Sequence, residues 1–180
     1  SYFTARNIKS ILDYSNLKIL SLSKNEYHGG SLRTVAAKKN SSLKEFKIDK
    51  FINYENKKNI YKLGFYKKMM KKINSKKFFL LSTLINLSKK GYVISGVGAG
   101  AKSNTFLTFY GLNYKIIKFL TDSSIFKKNK YTPVSRIIIK DDKELIKYKK
   151  IACIILSWNI SNLVIDKIKK LNKRIKIIYT

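Results

Sequence analysis

A chain of 180 residues, 44% of them hydrophobic, is long enough for one domain with a packed core, or for a domain and part of another. Its single cysteine, Cys153, excludes a disulfide framework and a multi-cysteine metal site, and fits a reducing, cytoplasmic setting. The formal charge of +29 suggests a polyanion partner, yet Arg6, Arg33, Arg136 and Arg174 are the only arginines and the lysines run along the whole chain. That pattern reads as solvated, composition-biased lysine. It predicts weak, salt-sensitive attraction to any polyanion and no specific nucleic-acid reader, which would lean on arginine forks.

In chain order, residues 1–15 read as a helix. Phe3, Ile8, Ile11 and Leu12 share a face, Thr4 is a candidate cap, and Asn16 closes the helix. Leu17–Leu22 alternates as a half-buried strand, residues 26–31 form a turn around Gly29-Gly30, and Leu32–Ala37 is a second strand. Two strands about a tight turn predict a hairpin that could close the edge of a sheet. Residues 38–90 are lysine-rich and helical in period. Phe46–Tyr54 is expected to be a short helix or a linker, Tyr61–Gly64 breaks the pattern, and Phe65–Ile73 and Lys76–Leu87 read as two further helices. The apolar stretch 78–87 falls short of the roughly 18 residues a membrane span needs. No membrane partner is expected, and Met69 and Met70 read as packing residues.

From Gly91 onward the pattern becomes a β-α repeat. Strands are expected at Tyr92–Ser95, Ile116–Leu120, Val134–Ile139, Ile151–Leu156 and Ile175–Tyr179. Helices are expected at Asn104–Tyr110, Asp141–Tyr148 (capped by Asp141 or Asp142) and Asn159–Leu171, with Gly111 a natural stop for the first. Alternation of short strands and helices predicts an α/β fold. It would be a Rossmann-like parallel sheet of about five strands with flanking helices, preceded by a helical linker and a hairpin-and-helix remnant.

In such a sheet the ligand sits at the carboxyl ends of the strands. That edge would carry the turn Gly96-Val97-Gly98-Ala99-Gly100-Ala101, then Lys102-Ser103-Asn104-Thr105, then Asp122 and Ser157-Trp158-Asn159. Glycines let backbone approach a ligand, and the N–H groups that open a helix hold anions. Gly96-x-Gly98-x-x-Ala101, with Asp122 about 20 residues on, also fits the permissive dinucleotide fingerprint, so a nicotinamide-nucleotide module of an oxidoreductase is the competing reading. The side-chain donors of Lys102, Asn104 and Thr105 count against it, since a dinucleotide turn mainly offers backbone there. Asp122 could equally cap its loop, and Trp158 could pack or present a stacking face. His28, the only histidine, lies in a Gly-Gly turn near Ser31 and Arg33, a combination suited to an anionic or hydroxylated ligand.

Two stretches resemble one family. Tyr2-Phe3 through Tyr27-His28-Gly29-Gly30-Ser31-Leu32-Arg33 resembles the end of the methyltransferase domain of the sugar C-methyltransferases. Gly96-Val97-Gly98-Ala99-Gly100-Ala101-Lys102-Ser103-Asn104-Thr105, followed by Asp122 and Ser157-Trp158-Asn159, resembles that family's C-terminal domain. The resemblance implies residues 1–40 as the end of a methyltransferase domain, 41–90 as a helical linker region and 91–180 as a Rossmann-like C-terminal domain. It implies S-adenosylmethionine-dependent methylation of a carbon of a nucleotide-linked keto-sugar. The cofactor site, the zinc-binding domain and a Tyr-His-Glu-His catalytic run are all expected before Ser1, in a chain that reads as cut from a longer, monomeric protein. On this reading the fragment alone is inactive. Lys102, Asn104, Thr105 and Gly98 would hold the nucleotide sugar, with Ser31, Arg33, Asp122 and Trp158 as further substrate-binding candidates, His28 as the one catalytic candidate and no metal ligand. Ser103 departs from the family, which carries glycine there, and Ser123-Ser124 replaces an Asn-Pro turn.

Overall fold

The computed structural model describes residues 2–179; the side chain of His28 lies outside the described part. The chain divides into two units, one up to Lys71 and one from Lys72.

In the first unit, helix α1 (Ala5–Tyr14) starts where Thr4 Oγ1 accepts the Asn7 N–H at 3.2 Å, as its sequence position predicts. Strands β1 (Leu17–Asn25) and β2 (Ser31–Lys38) pair antiparallel, with Asn25 opposite Ser31 and Leu17 opposite Lys38. A bulge between Ile19 and Ser21 shifts the register. Both glycines of the turn have positive φ (Gly29 84°, Gly30 121°), which explains why the chain needs them there. Helix α2 (Asp49–Lys57) completes a small core of Ala5, Ile19, Leu22 and Ile48, against which Leu12, Leu32, Phe51 and Ile52 pack.

Helix α3 (Leu63–Lys89) carries the boundary between the units. The two helices expected here are one, because Asn74 and Ser75 disfavour a helix only mildly, far less than Gly or Pro would, and the apolar period continues through Leu80, Leu84 and Leu87, all buried. The second unit then runs β3 (Val93–Val97), α4 (Ala101–Tyr110), β4 (Phe119–Thr121), β5 (Ile139–Lys140), β6 (Ile151–Ile155), α5 (Ser161–Leu171) and β7 (Lys176–Ile178). All five strands are parallel, in the order β5-β4-β3-β6-β7. This is the Rossmann-like sheet expected from the sequence.

Strand alternation sorts the core onto two faces. Ile94, Leu120, Ala152, Ile154 and Ile178 meet Leu84 and Leu87 of α3 and Leu107 of α4. Phe119, Ile151, Cys153 and Ile155 meet Leu145 and Ile168 on the other face. Burial pushes the Cys153 thiol up to about 12, so it behaves as a small apolar side chain rather than a nucleophile.

The third expected strand is corrected most. Only Ile139–Lys140 pairs in the sheet, while Tyr131 and Ile138 form an isolated antiparallel bridge. Val134 and Arg136 have positive φ (62° and 50°), incompatible with a strand, and Pro133 offers no N–H to a ladder. Thr132 and Ser135 hold the loop instead through their hydroxyls, 2.6 Å apart. The expected helix after β5 is a 3-10 segment, Asp142–Lys147, capped by Asp141, which accepts the Lys143 N–H at 2.9 Å.

Candidate functional site

The strand order reverses direction at β3 and β6, since the chain leaves β3 toward β4 and β5 and returns to add β6 and β7 on the opposite side. In open α/β sheets this switch point opens a crevice at the strands' carboxyl ends. The glycine turn after β3 and Ser157-Trp158-Asn159 after β6 lie at that edge.

The turn is built by close approach. A Cβ on Gly96 would stand 2.6 Å from Leu120 Cδ2 and 3.0 Å from Leu156 Cδ1. At Gly98, where φ is +100°, it would stand 1.9 Å from Ser157 Oγ. Three successive N–H groups of the turn are already used. Gly98 donates to the Thr121 carbonyl at 2.7 Å, Ala99 to Asp122 Oδ2 at 2.8 Å, and Gly100 to Ser103 Oγ at 3.2 Å. Ser103 therefore has a local task. It satisfies the N–H at the helix's start from three residues on, as half of a capping box.

The open anion donors begin one residue later. The Ala101 and Lys102 amides belong to the first turn of α4, where no earlier helical carbonyl can accept them. Lys102 is exposed and forms no ion pair among the described residues, so its ammonium stands free at the positive end of the helix. Asn104 Oδ1 is buried with no hydrogen-bond partner. Thr105 is exposed, but its hydroxyl turns back to the Ala101 carbonyl at 3.5 Å. Lys102, Ser103, Asn104 and Thr105 thus share the opening turns of one helix at the sheet's switch point.

Asp122 holds the turn together. Oδ2 accepts from Ala99 N–H and from Lys127 Nζ at 3.0 Å, and Oδ1 accepts from Ser124 N–H at 2.9 Å. Burial raises its pKa, but the Ala99 and Ser124 amides and the Lys127 ammonium together more than offset this and leave the carboxyl below its ordinary value. A depressed folded pKa means that Asp122 adds stability above its unfolded pKa and loses it as pH falls through the lower folded value. Thermal melts should therefore show Asp122→Asn less stable than wild type near neutrality, with the gap closing below about pH 4. A gap that stays constant into acid would contradict this role.

Oδ2 thus takes two donors, while Oδ1 takes one and keeps a lone pair for a further donor. The amides of Gly98, Ala99 and Gly100 are all in use, so this turn offers little open backbone to the pyrophosphate of a nicotinamide dinucleotide.

Trp158 opens a 3-10 turn after β6 and is 39% exposed. Its ring lies 6.0 Å from that of Phe106 on α4, which stacks on Tyr110 at 4.0 Å. The site's two flanks are thereby tied through aromatic contact. Ser31 and Arg33 lie in the first unit: Ser31 Oγ donates to the Tyr27 carbonyl at 2.9 Å, and exposed Arg33 pairs opposite Ser23 in the hairpin.

Sequence reasoning missed a hollow of about 220 Å³ between the carboxyl ends of β3 and β4 and helix α5. Thr121, Asp142, Ser157, Leu163 and Lys167 line it, together with Gly98. Asp142 is buried and pairs with Lys167 Nζ at 2.6 Å, rather than capping the segment it opens. Thr121 Oγ1 and Asp142 Oδ1 are buried without partners. Gly98 and Ser157 belong to the turns the sequence marks, but no motif joins Thr121, Asp142, Leu163 and Lys167 to them, since the segments that supply these four lie far apart in the chain. Phe106 was likewise invisible, because a lone aromatic on a helix reads as core.

Residues 26–179 match the family model of the C-methyltransferase C-terminal domain. The chain is also 22% identical over 171 residues to the C-methyltransferase NovU of Streptomyces niveus, an alignment that covers 94% of this chain and 41% of that protein. The chain therefore spans less than half the length of this relative. A parallel sheet with its switch-point edge built from the glycine turn, Asp122 and Trp158, and a family match over most of its length, place the chain in the C-methyltransferase family through its C-terminal domain.

Proposed function

We propose that this chain is the C-terminal portion of an S-adenosylmethionine-dependent C-methyltransferase acting on a nucleotide-linked keto-sugar, and that it grips the sugar nucleotide by its phosphates. The observation that carries the reading is the start of α4. Unpaired Lys102 and the open amides of Ala101 and Lys102 gather at the sheet's switch point, and the partnerless Asn104 Oδ1 on the same helix turn is an acceptor suited to a hydroxyl of the sugar, not to the phosphates. Helix-start amides and a flexible ammonium suit the doubly charged diphosphate of a sugar nucleotide. The methyl donor and the proton-abstracting base belong to the rest of the longer protein, and this portion contributes binding and orientation. Residues 91–180 would form the substrate-holding domain, with 1–40 the end of the methyltransferase domain and 41–90 the link.

The test is Lys102→Ala. Calorimetric titration with a nucleoside diphosphate hexose is expected to show affinity reduced about tenfold or more, consistent with loss of a charge-assisted contact of roughly 1.5–3 kcal/mol. The melting temperature should stay unchanged, because the side chain is exposed and supports nothing. Unaltered affinity would remove Lys102 from the site.

A further inference from the structure

We propose that Trp158 is the stacking platform for the nucleobase of the bound nucleotide, and that Phe106 is a positioning residue that holds the indole in place. The inference rests on the sugar-nucleotide reading for its ligand and on separate observations for its location.

Trp158 combines features that a packing tryptophan lacks. It stands at the carboxyl edge of the interior strand β6, in the turn at the switch point. It keeps 39% of its surface exposed, and its indole N–H donates to none of the described residues. A buried structural tryptophan normally finds a partner for that donor. The ring is nevertheless held. Phe106 meets it at 6.0 Å with the planes inclined at 55°, within the range of favourable aromatic pairs. Phe106 in turn stacks on Tyr110 at 4.0 Å and 21°, and Phe109 meets Tyr110 edge-on at 5.6 Å. Tyr110 is itself buried in the core. A chain of rings thus runs from the core to one partly exposed indole.

The phosphate end lies in register with this platform. Lys102 and Phe106 are four residues apart on α4, so they share a helix face, one turn and about 6 Å apart along the axis. On this proposal the phosphates sit at Lys102 and the base lies over the Trp158 ring beside Phe106. Stacking tolerates any base, because every base offers a π-face. The platform therefore selects for a nucleotide over a bare sugar phosphate without choosing among bases.

Trp158 is the only tryptophan of the chain, so its emission reports on this position alone. The chain would be titrated with uridine, thymidine, adenosine and guanosine diphosphates, and with ribose 5-phosphate as a base-free control, following both tryptophan fluorescence and heat. At least one nucleoside diphosphate is expected to quench Trp158 saturably, and ribose 5-phosphate is not. Trp158→Ala should weaken that nucleotide about tenfold or more by calorimetry while leaving ribose 5-phosphate binding unchanged. Phe106→Leu should shift the emission of the free protein and weaken the nucleotide several-fold, and Phe106→Tyr should restore both. Nucleotide binding with unchanged emission and no effect of Trp158→Ala would overturn the platform while leaving the sugar-nucleotide reading standing. No binding of any nucleoside diphosphate would overturn both.

Discussion

Gly98→Ala is expected to destabilise the chain by about 3 kcal/mol or more. Two penalties act together. The residue's φ of +100° is a conformation that L side chains rarely adopt, which costs on the order of 1–3 kcal/mol. The new Cβ would also stand 1.9 Å from Ser157 Oγ, 3.1 Å from its Cβ and 3.2 Å from its backbone N. Rotating the Ser157 hydroxyl away relieves only the first contact, so the β6 loop must move, and overpacking of this kind adds roughly 1–3 kcal/mol. The stiffer unfolded chain returns less than about 1 kcal/mol. Chemical denaturation should show the loss, and Ser157→Ala in the same chain should recover only part of it. A Gly98→Ala protein as stable as wild type would mean that the turn and the β6 loop are not packed as described. The glycine is therefore needed for packing at the site's edge, whatever the ligand.

Glu55→Ala carries the second large effect, about 3 kcal/mol, in the first unit. Glu55 is 8% exposed, and its carboxylate accepts the Ala5 N–H at 2.6 Å, the Arg6 N–H at 3.4 Å and the Tyr61 hydroxyl. It caps α1 from α2, fifty residues away in sequence. Arg6 lies 3.8 Å over the Tyr61 ring and donates to Asn56 at 3.0 Å, so the same residues tie the two helices from both sides. Alanine would leave the buried Ala5 amide without an acceptor, and an orphaned buried donor costs about 1–3 kcal/mol beyond the bonds to the carboxylate. Tyr61 gives an independent readout. Burial first, and then its bond to Glu55, hold its phenol above the ordinary value. Ultraviolet titration should find that pKa lowered in Glu55→Ala. Unchanged stability and an unchanged phenol would contradict the cluster.

Much of the second unit is legible in the sequence because its local signals agree with its tertiary environment. The apolar run Ile151–Ile155 becomes a fully buried interior strand of the sheet, Gly111 adopts the left-handed φ of 70° that ends α4, and Thr4 caps α1. The turn from Gly96 is placed correctly, though its amides turn inward to Thr121, Asp122 and Ser103. For Gly98 and Ala99 that detail depends on partners 23 residues away, which no local pattern encodes; only the Gly100–Ser103 contact is local. The β5 region fails for a related reason. Val134–Ile139 has the composition of a strand, but Pro133 and the hydroxyl pair of Thr132 and Ser135 fold it into a loop, leaving two residues to pair. Asp142 shows the same limit: in sequence it is one of two adjacent candidate caps, and only the approach of α5 turns it toward Lys167.

The central claim is that the start of α4 holds the phosphates of a sugar nucleotide rather than a dinucleotide. Its most direct measurement is a calorimetric titration of the chain with nucleoside diphosphate hexoses and, separately, with nicotinamide adenine dinucleotide. The account predicts saturable one-to-one binding of a nucleoside diphosphate hexose that weakens with Lys102→Ala, and at least tenfold poorer binding of the dinucleotide. Equal or tighter binding of the dinucleotide, or no binding of any sugar nucleotide, would contradict it.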